Sequence, residues 1–156
     1  MKGDVGQPPR VTFGLIVLNG EPFTRYNLRA LYPHAHQIIV VEGAARAARA
    51  VATPDGHSRD GTLGILRRFQ EEEDPQSKVT VVTAEDEGHG DGFWPGEKDE
   101  QSQAYARRAT GDYLWQVDID EFYRAEGIDV VLAMLRADPS ISAVSVRQMT
   151  FWGGLE

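Results

Sequence analysis

Two short, nearly continuous apolar runs, at residues 11–18 (VTFGLIVL) and 37–41 (QIIVV), are followed by a third, valine-rich strand segment at 78–83 (KVTVVT). Runs of this length, bounded by Gly, Pro and Asp, read as strands buried on both faces, the pattern of a parallel sheet. Between them the period changes to that of helices. Residues 23–31 form a short amphipathic segment, with Pro22 suited to a first helical turn and Pro33 just past the end. Leu63, Leu66 and Phe69 lie along one side of a second helix, which opens at Asp60 as a natural N-cap and stops before Asp74-Pro75. Residues 97–110 predict a third helix, with Ala104, Tyr105 and Ala109 as packing positions and Gly111 as its C-terminal glycine. It leads into a further apolar run at residues 113–117, expected to be the central strand. Residues 127–137 carry Ile128, Val131, Leu132 and Leu135 at helical spacing, and residues 141–149 alternate as a last strand. Strands alternating with helices argue for an α/β fold: one domain, a mostly parallel sheet with right-handed crossovers and helices on both faces. Residues 1–10, rich in Gly and Pro, read as a flexible lead-in to a domain spanning 11–156. No internal repeat or second domain is visible.

The chemistry gathers where the 113–117 run stops. Three acids follow within four residues, Asp118, Asp120 and Glu121, in the stretch DYLWQVDIDEF. Carboxylates this close repel one another unless a cation, a basic group or water offsets their charge. Hard divalent cations such as magnesium and manganese take oxygen ligands. Asp118 and Asp120 are therefore the candidate metal ligands, with Glu121 as a neighbour. In an open α/β sheet, ligands sit beyond the carboxyl ends of the strands. Asn19 and Glu21 fall there after the first strand, and Glu42 and Asp55 after the second. The cap role accounts for Asp60.

The loop at residues 84–96 is long, acidic and glycine-rich, and ends in Phe93 and Trp94. Those aromatics either close over a ligand or pin the loop to the core. His89, between two glycines, reads as solvated. Arg46 and Arg49, in the Ala-rich excursion at 43–54, read as a solvated pair, the sharper alternative being that one reaches a phosphate.

Composition narrows the function class. With 156 residues the chain has enough length for one real core, and a formal net charge of −8 argues against nucleic acid or an anionic membrane as the main partner. The absence of cysteine removes disulfides, thiolate metal sites and cysteine nucleophiles and fits a cytoplasmic setting. Residues 1–10 lack the apolar core of a signal peptide, and no run predicts a transmembrane segment. There is no Walker loop, no strand-linked Gly-x-Gly-x-x-Gly and no Gly-x-Ser-x-Gly elbow.

Two motifs together resemble the catalytic domain of glycosyltransferase family 2, which has the GT-A fold. Asp55, Gly56, Ser58, Asp60, Gly61 and Thr62 match that family's Asp-Gly-Ser-x-Asp-Gly-Thr, with His57 as an extra residue. Gly111, Asp112 and Tyr113, followed by an apolar run into Asp118-Ile119-Asp120, match its Gly-Asp-Tyr…Asp-x-Asp. The resemblance covers residues 11–123. It implies a nucleotide-diphosphate sugar donor, a saccharide or other hydroxyl acceptor, a Mn²⁺ or Mg²⁺ ion, and transfer with inversion. It places Asn19, Glu21, Glu42 and Asp55 around base and ribose, Asp118 at ribose or metal, and Asp120 on the metal. Two departures accompany it. The paired acids usual after the second strand are separated here by residues 43–54, so either Glu42 or Asp55 inherits the base contact. The acceptor's general base, which in the family lies well beyond Asp-x-Asp, is not identifiable. Trp152-Gly153-Gly154 is similar to a Trp-Gly-Gly that precedes an acid in some relatives, but Glu156 is not assigned as base. The acceptor half is accordingly expected to be truncated or minimal. Two other functions compete: a non-catalytic nucleotide-sugar-binding module, and a sugar nucleotidyltransferase. The second is disfavoured because NGEPFTR carries a single glycine and a distant Arg25 where such enzymes have a Gly-rich, Arg-containing loop.

Overall fold

The computed structural model describes residues 8–151. Four strands, β1 (Val11–Val17), β2 (Gln37–Glu42), β3 (Val79–Val82) and β4 (Tyr113–Asp118), form one sheet in the order β3-β2-β1-β4. Every pairing is parallel, with Val17 opposite Glu42 and Ile16 opposite Asp118. Helices α1 (Thr24–Leu31), α2 (Thr62–Glu72), α3 (Lys98–Ala106) and α4 (Ala125–Ala137) make the connections or follow the last strand. The sequence expectation of an α/β parallel sheet with helices on both faces is met.

Strand alternation explains the layering. Val11, Phe13, Leu15 and Val17 of β1, with Ile38 and Val40 of β2, pack against α1, α2 and α4 through Leu28, Leu31, Leu66, Phe69 and Ile128. The opposite face of β2, Ile39 and Val41, meets Ala104 and Tyr105 of α3 together with Trp94. Gly14 breaks the apolar run of β1 for a steric reason: a Cβ there would stand 2.6 Å from the Tyr105 ring. The missing side chain lets α3 lie close on the sheet.

Three expectations are corrected. β4 is an edge strand of the described sheet, not a central one, and β1 holds the interior position between β2 and β4. Leu114 on β4 is correspondingly exposed. Helix α3 ends at Ala106, so Gly111 is not its cap. Its Cβ would fall 2.7 Å from the Arg10 carbonyl oxygen and the Thr12 nitrogen, and glycine is there for that close approach. Residues 141–149 are irregular and almost wholly exposed rather than a strand. They alternate as a strand would, but no described strand lies beside them to pair with. Near the other end, Arg10 is held by its amide and guanidinium to Asp112, so the segment entering β1 is anchored at that residue.

Among the described residues, no helix is long and apolar enough to cross a membrane.

Candidate functional site

The strand order locates the crevice. From β1 the chain steps outward to β2 and β3, then returns to place β4 on the other side of β1. The reversal lies between β1 and β4, where an open α/β sheet leaves a gap at its carboxyl end. The turn at Asn19 and Gly20 and the acids after β4 flank this gap.

The acid turn is built from inside. The Glu121 amide donates to the Asp118 carbonyl at 2.9 Å. Asn27, only 1% exposed on the buried side of α1, aims its Nδ2 at the same turn. It donates to the carbonyl oxygens of Ile119 at 3.0 Å and Glu121 at 2.8 Å, and lies 3.5 Å from that of Asp118. Glu121 spends its carboxylate internally, accepting from the Asp118 amide at 3.1 Å and from Gln148 Nε2 at 2.6 Å. Glu121 thus fixes the turn, while Asp118 is half-buried and Asp120 exposed. Asp118 and Asp120 line a cleft of about 710 Å³ with Tyr123, Arg124 and Phe151 among its walls. Burial, then the charges of Glu121 and Asp118, push the Tyr123 phenol up, so it keeps its proton and remains a donor there.

Asp118 and Asp120 offer carboxylate oxygens, the donor type a hard divalent cation takes, but among the described residues no group of three or more His, Cys, Asp or Glu side chains could by itself hold a metal ion. One or two carboxylates completed by water and phosphate oxygens is the ligand set magnesium prefers.

The rim beyond β1 and β2 is arranged differently. Asn19, in a left-handed conformation at φ 56°, staples β1 to the loop that follows β2. Its amide donates to Ser58 Oγ at 2.9 Å, its Nδ2 to the Val51 carbonyl at 2.9 Å, and its Oδ1 accepts from the Arg59 amide at 2.7 Å. Asp55 is exposed on that loop, and hydrogen bonds from Thr53 and from its own amide hold its carboxyl below the usual range. Glu42 is fully buried and turned inward. Its carboxylate accepts from the Ser58 amide at 2.8 Å and meets His57 Nδ1 at 2.8 Å, and its carbonyl accepts from Trp94 Nε1 at 3.1 Å. Of the two acids after β2, Asp55 is the one presented at the surface. Glu21 lies beside a separate cavity of about 260 Å³ between α1 and α2, which shares no lining residue with the acid cleft.

Asp60 combines two roles. One oxygen accepts from the Thr62 amide and hydroxyl at the start of α2, the other from the Glu21 amide at 2.9 Å. Helix α2 itself begins after Gly61. Burial raises the Asp60 carboxyl, but the Thr62 hydroxyl and the Glu21 and Thr62 amides outweigh it and the net direction is down.

Phe93 and Trp94 pin the 84–96 loop. Both are buried, and Trp94 exchanges backbone hydrogen bonds with Ala44 and Arg46. Arg49 stacks over the Phe93 ring at 4.6 Å and Arg46 pairs with Asp91 at 3.2 Å, so the 43–54 excursion is folded onto this loop. His89 is not freely solvated but lies against Trp94, 3.7 Å from Glu100. Gly56 and Gly92 meet back to back: a Cβ on Gly56 would lie 2.0 Å from the Gly92 oxygen, and one on Gly92 2.1 Å from the Asp55 oxygen.

Sequence reasoning passed over Asn27 and the linking role of His57. The signal for Asn27 was available, since it sits with Thr24, Leu28 and Leu31 on the stripe that faces the core.

No protein-family model matches the sequence, and neither does any curated protein. Solved structures do. A mannosyltransferase from Pyrobaculum calidifontis, PcManGT, in complex with GDP-Man and Mn²⁺, superposes with a TM-score of 0.61 at 23% identity over 88% of this chain. TarS residues 1–349 from S. aureus superposes with a TM-score of 0.61 at 16% identity over 89%. The chain has the GT-A fold. It spans 35% of the mannosyltransferase and 38% of the TarS chain. In this GT-A domain the cleft lined by Asp118 and Asp120 is walled by residues of β4, the turn after it and the 146–151 segment, while Asn19 is tied to residues 51–59 at the end of β1.

Proposed function

We propose that this domain is the donor-binding part of a metal-dependent glycosyltransferase of the family 2 type, moving a sugar with inversion from a nucleotide-diphosphate sugar to a hydroxyl acceptor. The observation that carries the reading is the Asp118–Asp120 pair, the first half-buried and the second exposed, on a turn braced by Asn27 and Glu121, at the switch point of a sheet whose fold is shared with a GDP-Man- and Mn²⁺-bound mannosyltransferase. Asp120, and Asp118 beside it, would hold Mn²⁺ or Mg²⁺. When bound, the ion supplies positive charge to the diphosphate as it leaves. Asn19 and Asp55 form the nucleotide side. Glu42 acts there through the loop it holds, since its carboxylate faces Ser58 and His57. Glu21 shapes the same turn through its amide. Residues 11–156 are the domain, and Trp152, Gly153, Gly154 and Glu156 lie outside the described residues.

Calorimetry against a panel of nucleotide sugars, with and without manganese, tests the reading. At least one donor should bind, and only with metal. Asp120→Asn should abolish the metal-stimulated donor binding and leave the melting temperature within about 2 °C, as expected for an exposed substitution. Metal-independent binding, or none to any donor, refutes it.

A further inference from the structure

His57, the residue inserted into the DGHSRDGT loop, sits between two carboxylates. Its Nδ1 is 2.8 Å from Glu42 Oε2 and its Nε2 is 3.2 Å from Glu85 Oε1. A neutral imidazole has one N–H, so one of these contacts would then set a lone pair against a carboxylate. Only the imidazolium donates to both. Glu42 reinforces the point: a fully buried carboxylate needs a compensating charge, and His57 is the cationic group in contact with it. The charged groups facing the ring are Glu42 from the end of β2, Glu85 from the turn after β3, and Asp55 from its own loop, all acidic.

We propose that His57 is a positioning residue of the nucleotide-side rim: as an imidazolium bridging Glu42 and Glu85 it fixes residues 53–58, and nucleotide-sugar binding weakens when it loses its proton. The proposal rests on the donor-binding reading above. The loop it fixes carries Asp55, and through Ser58 it holds Asn19. Ser58 is in turn tied to Glu42, and the Gly56 carbonyl accepts from the Ala44 amide at 2.8 Å. One ring therefore joins the end of β2, the 53–58 loop and the acidic loop after β3. Burial works against its charge, but the hydrogen bond to Glu42 and the charges of Glu42, Glu85 and Asp55 prevail and raise the imidazole above its ordinary value. A histidine shifted in that direction contributes stability that is complete below about pH 6.5 and lost as pH rises through the folded-state value.

The test combines ring titration with binding. The His57 imidazole is followed by NMR in wild type and Glu85→Gln, and affinities for GDP-mannose and UDP-glucose with manganese are measured from pH 5.5 to 8.5. The titration midpoint should lie above about 6.5 and move down in Glu85→Gln. Donor affinity should fall at least about threefold across the midpoint, a change of about 0.7 kcal/mol, with the fall displaced to lower pH in Glu85→Gln. His57→Gln should bind weakly at pH 6 and lack this pH step. A midpoint at or below the ordinary value, an affinity unchanged across it, or wild-type binding by His57→Gln at pH 6 overturns the proposal. If neither donor binds at any pH in wild type, the rim role fails along with the donor reading. The ring titration and its displacement in Glu85→Gln still decide whether His57 is the clamp.

Discussion

Asn27→Asp isolates the brace under the acid turn. The two side chains have the same shape, but the substitution replaces the Nδ2 donor with an oxygen facing carbonyls now 3.0 and 2.8 Å away. Asn27 is 1% exposed, so a carboxylate there would be a buried charge facing acceptors. The folded protein avoids it by keeping the acid protonated. Doing so at pH 7, about three pK units above the ordinary aspartate value, costs about 4 kcal/mol. The neutral acid also offers one O–H where the amide offered two N–H groups, adding about 1 kcal/mol. The folded-state pKa is raised, so the folded state binds more protons and stability recovers as pH falls toward the unfolded value. At pH 5 the protonation cost shrinks to about 1.5 kcal/mol. Asn27→Leu is the control: it strands the same carbonyls but also removes the unpaired buried Oδ1, for a loss of about 1–2 kcal/mol that does not depend on pH. Urea unfolding of the three proteins at pH 5 and pH 7 measures the differences. An Asn27→Asp loss below about 1 kcal/mol at pH 7, or the same loss at both pH values, would refute the brace.

Two further substitutions probe the loops around the crevice. Gly56→Ala drives a Cβ to 2.0 Å from the Gly92 oxygen at φ +88° and should cost about 3 kcal/mol, lowering the melting temperature by roughly 6–12 °C. Gly61→Ala has a similar φ of +87° with nothing within 4 Å and should cost only about 1 kcal/mol, so equal losses in the two variants would rule out the back-to-back contact. Asp60→Asn leaves one amide of the Glu21–Thr62 pair without an acceptor and should cost about 1 kcal/mol at neutral pH. Because the native carboxyl is shifted down, its contribution is present above the ordinary aspartate value and lost as pH falls through the folded value, so in urea titrations the gap to wild type should hold down to about pH 4 and narrow below it.

The buried strands and the acids were legible because each is a local property. An unbroken apolar run needs cover on both faces, and crowded carboxylates need a reason whatever lies opposite. Relations between distant segments were not legible. Nothing in YLWQVD says that its outer side goes unpaired, and the alternation at 141–149 describes a strand's surface without supplying a neighbour. Glu42 read as a rim acid because it ends an apolar strand. Its inward turn depends on the Ser58 amide and His57 ring arriving opposite it. Gly56 stands in the DGHSRDGT motif and Gly92 in the glycine-rich 84–96 loop, while their shared constraint arises only where the two loops touch.

Both lips of the crevice are referenced to β1. Asn19 at its end ties the loop of residues 51–59, β4 is hydrogen-bonded along its length, and α1, which follows it, carries Asn27 to the acid turn. From the end of β2 to the end of β4 is two strand spacings, about 10 Å. Backbone pairing sets that length, and a change of side chain cannot stretch it. The sheet therefore acts as a ruler: point substitutions at the strand ends change which side chains stand there, while the lateral distance between those ends is dictated by strand pairing.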